Sequence, residues 1–138
     1  MASLSPTQRS IKYFRDQGMI CGIVERFIPN PKHPGGGFRK DFLGIIDMIF
    51  LGPDGIVGVQ SCGSDYAAHY KKIMDEHPED LKAWLAAGGK FVLIGWRKVK
   101  KFRGSKQEVW NPRIKEIDLE HLDNYQKDLE LEENQDED

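Results

Sequence analysis

The chain has 138 residues, 39% hydrophobic and 30% charged, with a formal net charge of -2, which describes one ordinary globular domain rather than a low-complexity chain. No run approaches the roughly 18 apolar residues of a membrane span, and the start MASLSPTQRS lacks a signal-peptide apolar region. Cys21 and Cys62 have neither zinc nor disulfide-framework spacing, so the expectation is a cytoplasmic protein in a reducing compartment with no membrane partner.

In chain order, Ser5-Pro6-Thr7 predicts a helix with a Ser cap and Pro at its first position, running to Gly18 with Ile11, Tyr13 and Phe14 as apolar positions. Arg9, Lys12 and Arg15 fall on its other side. Met19 to Ile28 (MICGIVERFI) alternates as a strand does. Glu25, near its end, can serve a bound ion from the periphery or form a surface salt bridge. Pro29 to Gly37 (PNPKHPGGG), with three prolines and three glycines, predicts a mobile loop carrying Lys32 and His33.

Leu43 to Leu51 and Ile56 to Val59 read as two apolar strands joined by the turn Gly52-Pro53-Asp54-Gly55. Asp47 falls inside the first strand, and Gln60 ends the second. A carboxylate there is costly to bury unpaired, and two partners are open to it: a divalent cation, or a buried Arg or Lys. If the turn closes the register, Asp47 and Gln60 lie near the same end of adjacent strands and each offers one oxygen.

Beyond Cys62, Gly63-Ser64-Asp65 predicts the cap of a helix through Met74, and Pro78 separates it from a second helix, Glu79 to Ala87, with Trp84 in the core. Lys90 to Val99 (KFVLIGWRKV) is the most apolar strand and is expected to lie centrally. Gln107 to Ile114 is expected to pair with it. Between them Arg97, Lys98, Lys100, Lys101, Arg103 and Lys106 form a basic hairpin tip without one acid, with Phe102 inside it and Trp96 and Trp110 beside it. Cations of this kind supply sequence-independent phosphate contacts, and an aromatic can stack on an unpaired base. His33, His69, His77 and His121 show no ligand spacing and read as ordinary.

The net charge hides an asymmetry. Residues 118–138 hold ten acids against Lys127, a net of -9, and residues 1–117 hold nineteen bases and twelve acids, a net of +7. A basic body suits a polyanion partner. From Asp118 the composition predicts a short helix followed by a disordered acidic tail, giving a domain over 1–117 and a tail over 118–138.

The run Arg39-x-Asp41-x-x-Gly44-x-x-Asp47 followed by Val59-Gln60 resembles the PD-(D/E)XK nuclease superfamily, and within it small phage and bacterial proteins that are Holliday junction resolvase-like or restriction endonuclease-like. The resemblance extends from about Arg9 to Arg113, with its specific part between Arg39 and Cys62. It implies an α/β fold with an αβββαβ core, a mixed central sheet flanked by helices, and a Mg²⁺- or Mn²⁺-dependent endonuclease acting on DNA, branched DNA in particular. Asp47 takes the first acidic position and Gln60-Ser61-Cys62 the place of the acidic-x-Lys triplet. In that frame Asp47, Gln60 and Asp41 bind the metal, while Arg39 and Lys40 contact phosphate. Gln60 stands where an acid is usual and Cys62 where Lys is usual, so Lys72 is the candidate to replace the missing cation, with Lys71 and Lys40 as alternatives. Homodimers are implied, because two symmetric incisions need two sites. The runner-up is a DNA-binding protein that keeps the fold without catalysis.

Overall fold

Ser5 and Gln8 bind each other reciprocally at the start of α1 (Pro6–Arg15). In the computed structural model, which describes residues 4–136, the Gln8 amide donates to the Ser5 hydroxyl at 3.2 Å and the Ser5 amide donates to the Gln8 side chain at 2.9 Å. The helix buries Phe14 and Ser10 and leaves Lys12 and Arg15 exposed, while Arg9 is half-buried.

Among the described residues seven strands follow in two sheets. The main sheet has the order β1 (Ile20–Ile23), β4 (Met48–Gly52), β5 (Gly55–Cys62), β6 (Lys90–Lys100), β7 (Glu108–Glu116). Only β5 and β6 are parallel, joined by the crossover helices α2 (Tyr66–Glu76) and α3 (Pro78–Ala86), as parallel pairing requires. The other pairs are antiparallel, so the sheet is mixed. Strands β2 (Arg26–Pro29) and β3 (Gly37–Lys40) form a separate two-stranded ribbon. With that ribbon set aside, the order is one helix, three strands, helices, two strands, in agreement with the α/β class expected.

Side chains alternate across the sheet and divide the core in two. Phe14 of α1 packs with Met48, Phe50, Val59, Ile94 and Trp96 on one face. On the other, α2, α3 and α4 (Leu119–Asp136) cover Ile45, Ile46, Cys62, Phe91, Leu93 and Ile117. Strand β5 holds the middle of the sheet, and β6, expected there, lies one place further out with Phe91 and Leu93 to Trp96 buried.

Several expected boundaries differ. The single strand over 19–28 is broken at Val24-Glu25, because both amides turn aside to donate to the Asp47 carbonyl, each at 3.0 Å. Of the segment 29–37, Pro29 and Gly37 pair at the end of the β2–β3 ribbon and residues 30–36 form its loop, with a short 3-10 turn over Pro34–Gly36. The strand expected over 43–51 begins only at Met48. Ahead of it, Phe42 and Ile46 bridge across a tight turn in which Gly44 (φ 74°) and Leu43 (φ 56°) are left-handed. The turn Pro53-Asp54 closes β4 on β5 with Gly52 opposite Gly55, as expected.

The acidic C-terminal segment also differs: instead of a short helix and a disordered tail, residues 119–136 form one helix. Leu122 is buried, the Tyr125 hydroxyl donates to Asp75 Oδ1 at 2.7 Å, and Tyr70 and His121 meet at 2.6 Å between hydroxyl and Nε2. Apolar positions at 122, 125 and 129 recur with helical spacing, a stripe that the surrounding acids mask in the composition. Glu137 and Asp138 lie outside the described residues. No helix among the described residues is long and apolar enough to cross a membrane.

Candidate metal centre

Glu25, Asp41 and Asp47 each present one carboxylate oxygen so that all three oxygens lie within 4.8 Å of one another. The backbone explains the convergence. Arg26 pairs with Lys40 at the base of the β2–β3 ribbon, which sets Glu25 and Asp41 facing each other one residue outside it. The turn over residues 42–46 then folds Asp41 back toward Asp47, and a continuous strand would instead hold these two about 20 Å apart.

Asp47 binds all the surrounding segments. Its amide donates to the Val59 carbonyl at 2.9 Å, its carbonyl takes the Val24 and Glu25 amides, and its Oδ2 accepts the Ser61 amide at 2.8 Å. The β4–β5 register, Met48 opposite Val59, places Asp47 beside Gln60 as the turn predicts. Both are buried, each 6% exposed. Burial pushes the Asp47 carboxyl up to about 8, its hydrogen bond to Asp41 and the charges of Asp41 and Glu25 push the same way, and the Ser61 N–H opposes them. Without a counter-ion the cluster therefore retains a proton at neutral pH. A cation among these oxygens would displace it.

Gln60 links the acids to α2. Its Nε2 donates to Asp41 Oδ2 at 3.4 Å, and its Oε1 lies 3.2 Å from His69 Nδ1. His69 Nε2 donates to the Asp65 carboxylate at 2.8 Å. With that proton on Nε2, Nδ1 donates to Gln60 only when the ring carries both protons. Turning the Gln60 amide by half a revolution gives a neutral ring an N–H to accept and sends the carbonyl oxygen toward the acids. That second orientation is the one a cation requires. Three carboxylates and one amide carbonyl make an all-oxygen donor set, which suits hard ions such as Mg²⁺ or Mn²⁺.

The cations named from the sequence divide into groups. Lys40 and Arg26 line a hollow of ≈ 300 Å³ together with Asp41, Val24, Phe42 and Leu43. Arg39 is 79% exposed and pairs with Glu25, Nη1 to Oε1, at 3.1 Å. Lys72 lines a different hollow, on the surface of α2 with Ala68, Lys71, Asp75 and Glu76, and among the described residues no hydrogen bond or ion pair joins it to Asp41, Asp47 or Gln60. Cys62, on the same face as Gln60, is buried under α2, and burial first, then the Asp65 and Asp47 charges, push its thiol up to about 12. It is a neutral core residue. Ser61, between them, faces the other way and bonds Ser10 at 2.7 Å, which also accepts from Trp96 Nε1 at 2.9 Å.

The basic tip extends well past this centre. Leu93 pairs with Gln60, and Lys100, seven residues further along β6, lies roughly 23 Å away. Lys98 and Lys100 fall on one sheet face and Arg97 on the other, and Lys101 closes the tip by donating to Gln107 at 2.9 Å ahead of Arg103 and Lys106. Of the aromatics at the tip, Trp96 is buried, Trp110 carries the Arg9 guanidinium at 3.8 Å and the Lys98 ammonium at 5.3 Å from its ring centre, and Phe102 stands 66% exposed. Two residues differ from the reading of the sequence. Glu25, expected at the periphery of a bound ion or in a surface salt bridge, joins the trio itself while pairing with Arg39, and His69, read as ordinary, contacts Gln60. The pair Asp65/His69 at i,i+4 directly after the triplet is the signal that marks it. Comparison of the chain with protein-family models, with curated proteins and with solved structures finds no match.

Proposed function

We propose that the chain is a Mg²⁺- or Mn²⁺-dependent endonuclease that hydrolyses phosphodiester bonds in DNA, branched DNA in particular. The observation that carries this reading is the convergence of Glu25, Asp41 and Asp47 within 4.8 Å beside a hollow lined by Arg26 and Lys40. A bound divalent ion would lower the pKa of its water and neutralise charge on the phosphorane. The chain's own residues do the rest: the acids hold the ion, Gln60 is positioned by His69, and Lys40 and Arg26 stand where a phosphate oxygen beside Asp41 would be met. Lys40 is thus better placed than Lys72 to replace the cation absent at Cys62. The basic tip, about 23 Å along β6, would hold a flanking stretch of about seven base pairs at 3.4 Å each.

One observation favours a second reading, a DNA-binding protein without catalysis. Cys62 is buried and neutral, so strand β5 provides no cation at the triplet position. Cleavage of a four-way junction, a duplex and a single strand with Mg²⁺ or Mn²⁺, comparing the natural chain with Asp47→Ala, separates the two. Cutting that requires both metal and Asp47 is the expected result, and preference for the junction would support the resolvase-like assignment. DNA binding without any Asp47-dependent cutting would leave the second reading.

A further inference from the structure

A second cationic hollow opens on the sheet face that carries Gln60. Cys62 pairs with Gly95 and Gly95 with Arg113, so these three form one row across β5, β6 and β7, and Arg97 lies two residues beyond Gly95 on the same face. Gly63, Ser64, Tyr66, Gly95, Arg97 and Arg113 line a hollow of ≈ 220 Å³. A Cβ at position 95 would come within 2.6 Å of the Tyr66 ring. With glycine there, Tyr66 lies against the sheet and its ring carries the Arg113 guanidinium 4.1 Å from its centre. Stacking fixes the plane of the guanidinium while leaving its N–H groups free to donate.

Neither Arg97 nor Arg113 has a carboxylate partner among the described residues, and Asp65, the acid at the start of α2, is engaged by His69. Two guanidiniums directed at one hollow repel each other until an anion enters, and their forked donors match phosphate oxygens. The position along the strand selects among anions: Gly63 lies two residues, about 7 Å, beyond Ser61, whose amide holds Asp47.

We propose that this hollow binds a backbone phosphate of the same nucleic-acid strand that crosses the metal centre, an inference that rests on the nuclease reading. Arg113, braced on Tyr66, is the fixed donor and Arg97 the mobile one. The pair would set which strand of a substrate lies against Asp47, and it would do so without reading sequence.

The test uses the full chain in chelator. Inorganic phosphate is titrated while amide and arginine Nε signals are followed by NMR, and a single-stranded oligonucleotide is bound at several salt concentrations. The expected result is saturable shifts at Gly63 and Ser64, about tenfold weaker binding in Arg113→Gln, unchanged phosphate binding in Asp47→Asn, and a salt slope smaller by about 0.7 in Arg113→Gln. Arg113→Lys keeps the charge without the fork and is expected to fall between. Absence of saturable shifts, or shifts that survive in the Arg97→Gln/Arg113→Gln double variant, overturns the site. If metal-dependent cleavage persists in that variant, the nuclease reading stands without it. Saturable phosphate binding with an unchanged salt slope assigns the hollow to a free phosphate compound and overturns the nucleic-acid assignment.

Discussion

The Asp47 carboxylate accepts the Ser61 amide at 2.8 Å while lying within 4.8 Å of two other acids. One favourable hydrogen bond does not offset burial and like charge, so Asp47 is pushed from 3.8 up to about 8. The sign of the stability change follows. Folded Asp47 holds its proton where unfolded Asp47 has lost it, so the contribution is complete below about 4 and disappears as pH rises through about 8. Urea denaturation in chelator between pH 5 and 8 should show stability falling by up to about 1.4 kcal/mol per pH unit from this group. Asp47→Asn should flatten that slope, as should saturating Mn²⁺, which binds only the ionised acids. An equal slope in wild type and Asp47→Asn would contradict the burial argument.

Gly44 turns the chain that brings Asp41 to Asp47. Its φ of 74° is left-handed, and a Cβ there would meet the His77 ring at 2.6 Å. Gly44→Ala should therefore destabilise the fold by about 1–2 kcal/mol from backbone strain, with the His77 clash adding to it. Because the turn sets the acid spacing, Mn²⁺ affinity should fall as well, even at temperatures where the variant is fully folded. Calorimetric titration with Mn²⁺ alongside a thermal melt checks both, and an unchanged affinity would mean that Asp41 is placed by something other than this turn.

The contrast between Asp47 and Glu25 shows what the sequence discloses. The Asp47/Gln60 juxtaposition follows from a two-residue turn and strand alternation, both local rules, and the register they predict holds as far as Met48 opposite Val59, the pair next to these two residues. Glu25 comes into the site because strand β1 stops where two amides bond the Asp47 carbonyl, a long-range interaction that leaves no periodic trace. The turn at 43–44 is concealed for another reason: Leu43, a residue type that rarely takes a left-handed φ, does so here directly ahead of Ile45 and Ile46, which are fully buried. In α4, composition obscured a stripe that Leu122 and Tyr125 make plain once α2 is beside them.

His69 reaches Gln60 from α2 with its other nitrogen fixed by Asp65. Groups that orient a ligand in this way commonly contribute 10–100-fold to metal affinity. His69→Ala should thus weaken Mn²⁺ binding by about tenfold while leaving the melting temperature nearly unchanged, since the side chain is at the edge of the core. Asp65→Asn, which keeps a partner for Nε2, should recover most of the affinity. A loss of stability as large as the loss of binding would identify His69 as a packing residue instead.

Cys62 tests whether the departure from the acidic-x-Lys pattern is a simple gap that a lysine would fill. The thiol is 4% exposed, packed with Tyr66 and Ile73 beneath α2, and its Sγ lies 3.7 Å from the Ile94 carbonyl. With its pKa at about 12 it should resist iodoacetamide at pH 8.5 until denaturant is added, whereas the more exposed Cys21 should alkylate in the folded chain. Cys62→Lys would then place an ammonium among apolar side chains, at a cost of about 3 kcal/mol or more. The expected outcome is a destabilised chain with no gain in metal-dependent cleavage. Lys40→Ala, at the hollow beside Asp41, should by contrast lower cleavage with little change in stability. A Cys62→Lys chain that folds normally and cuts faster would show that α2 moves aside from β5, and that the strand can carry its own catalytic cation.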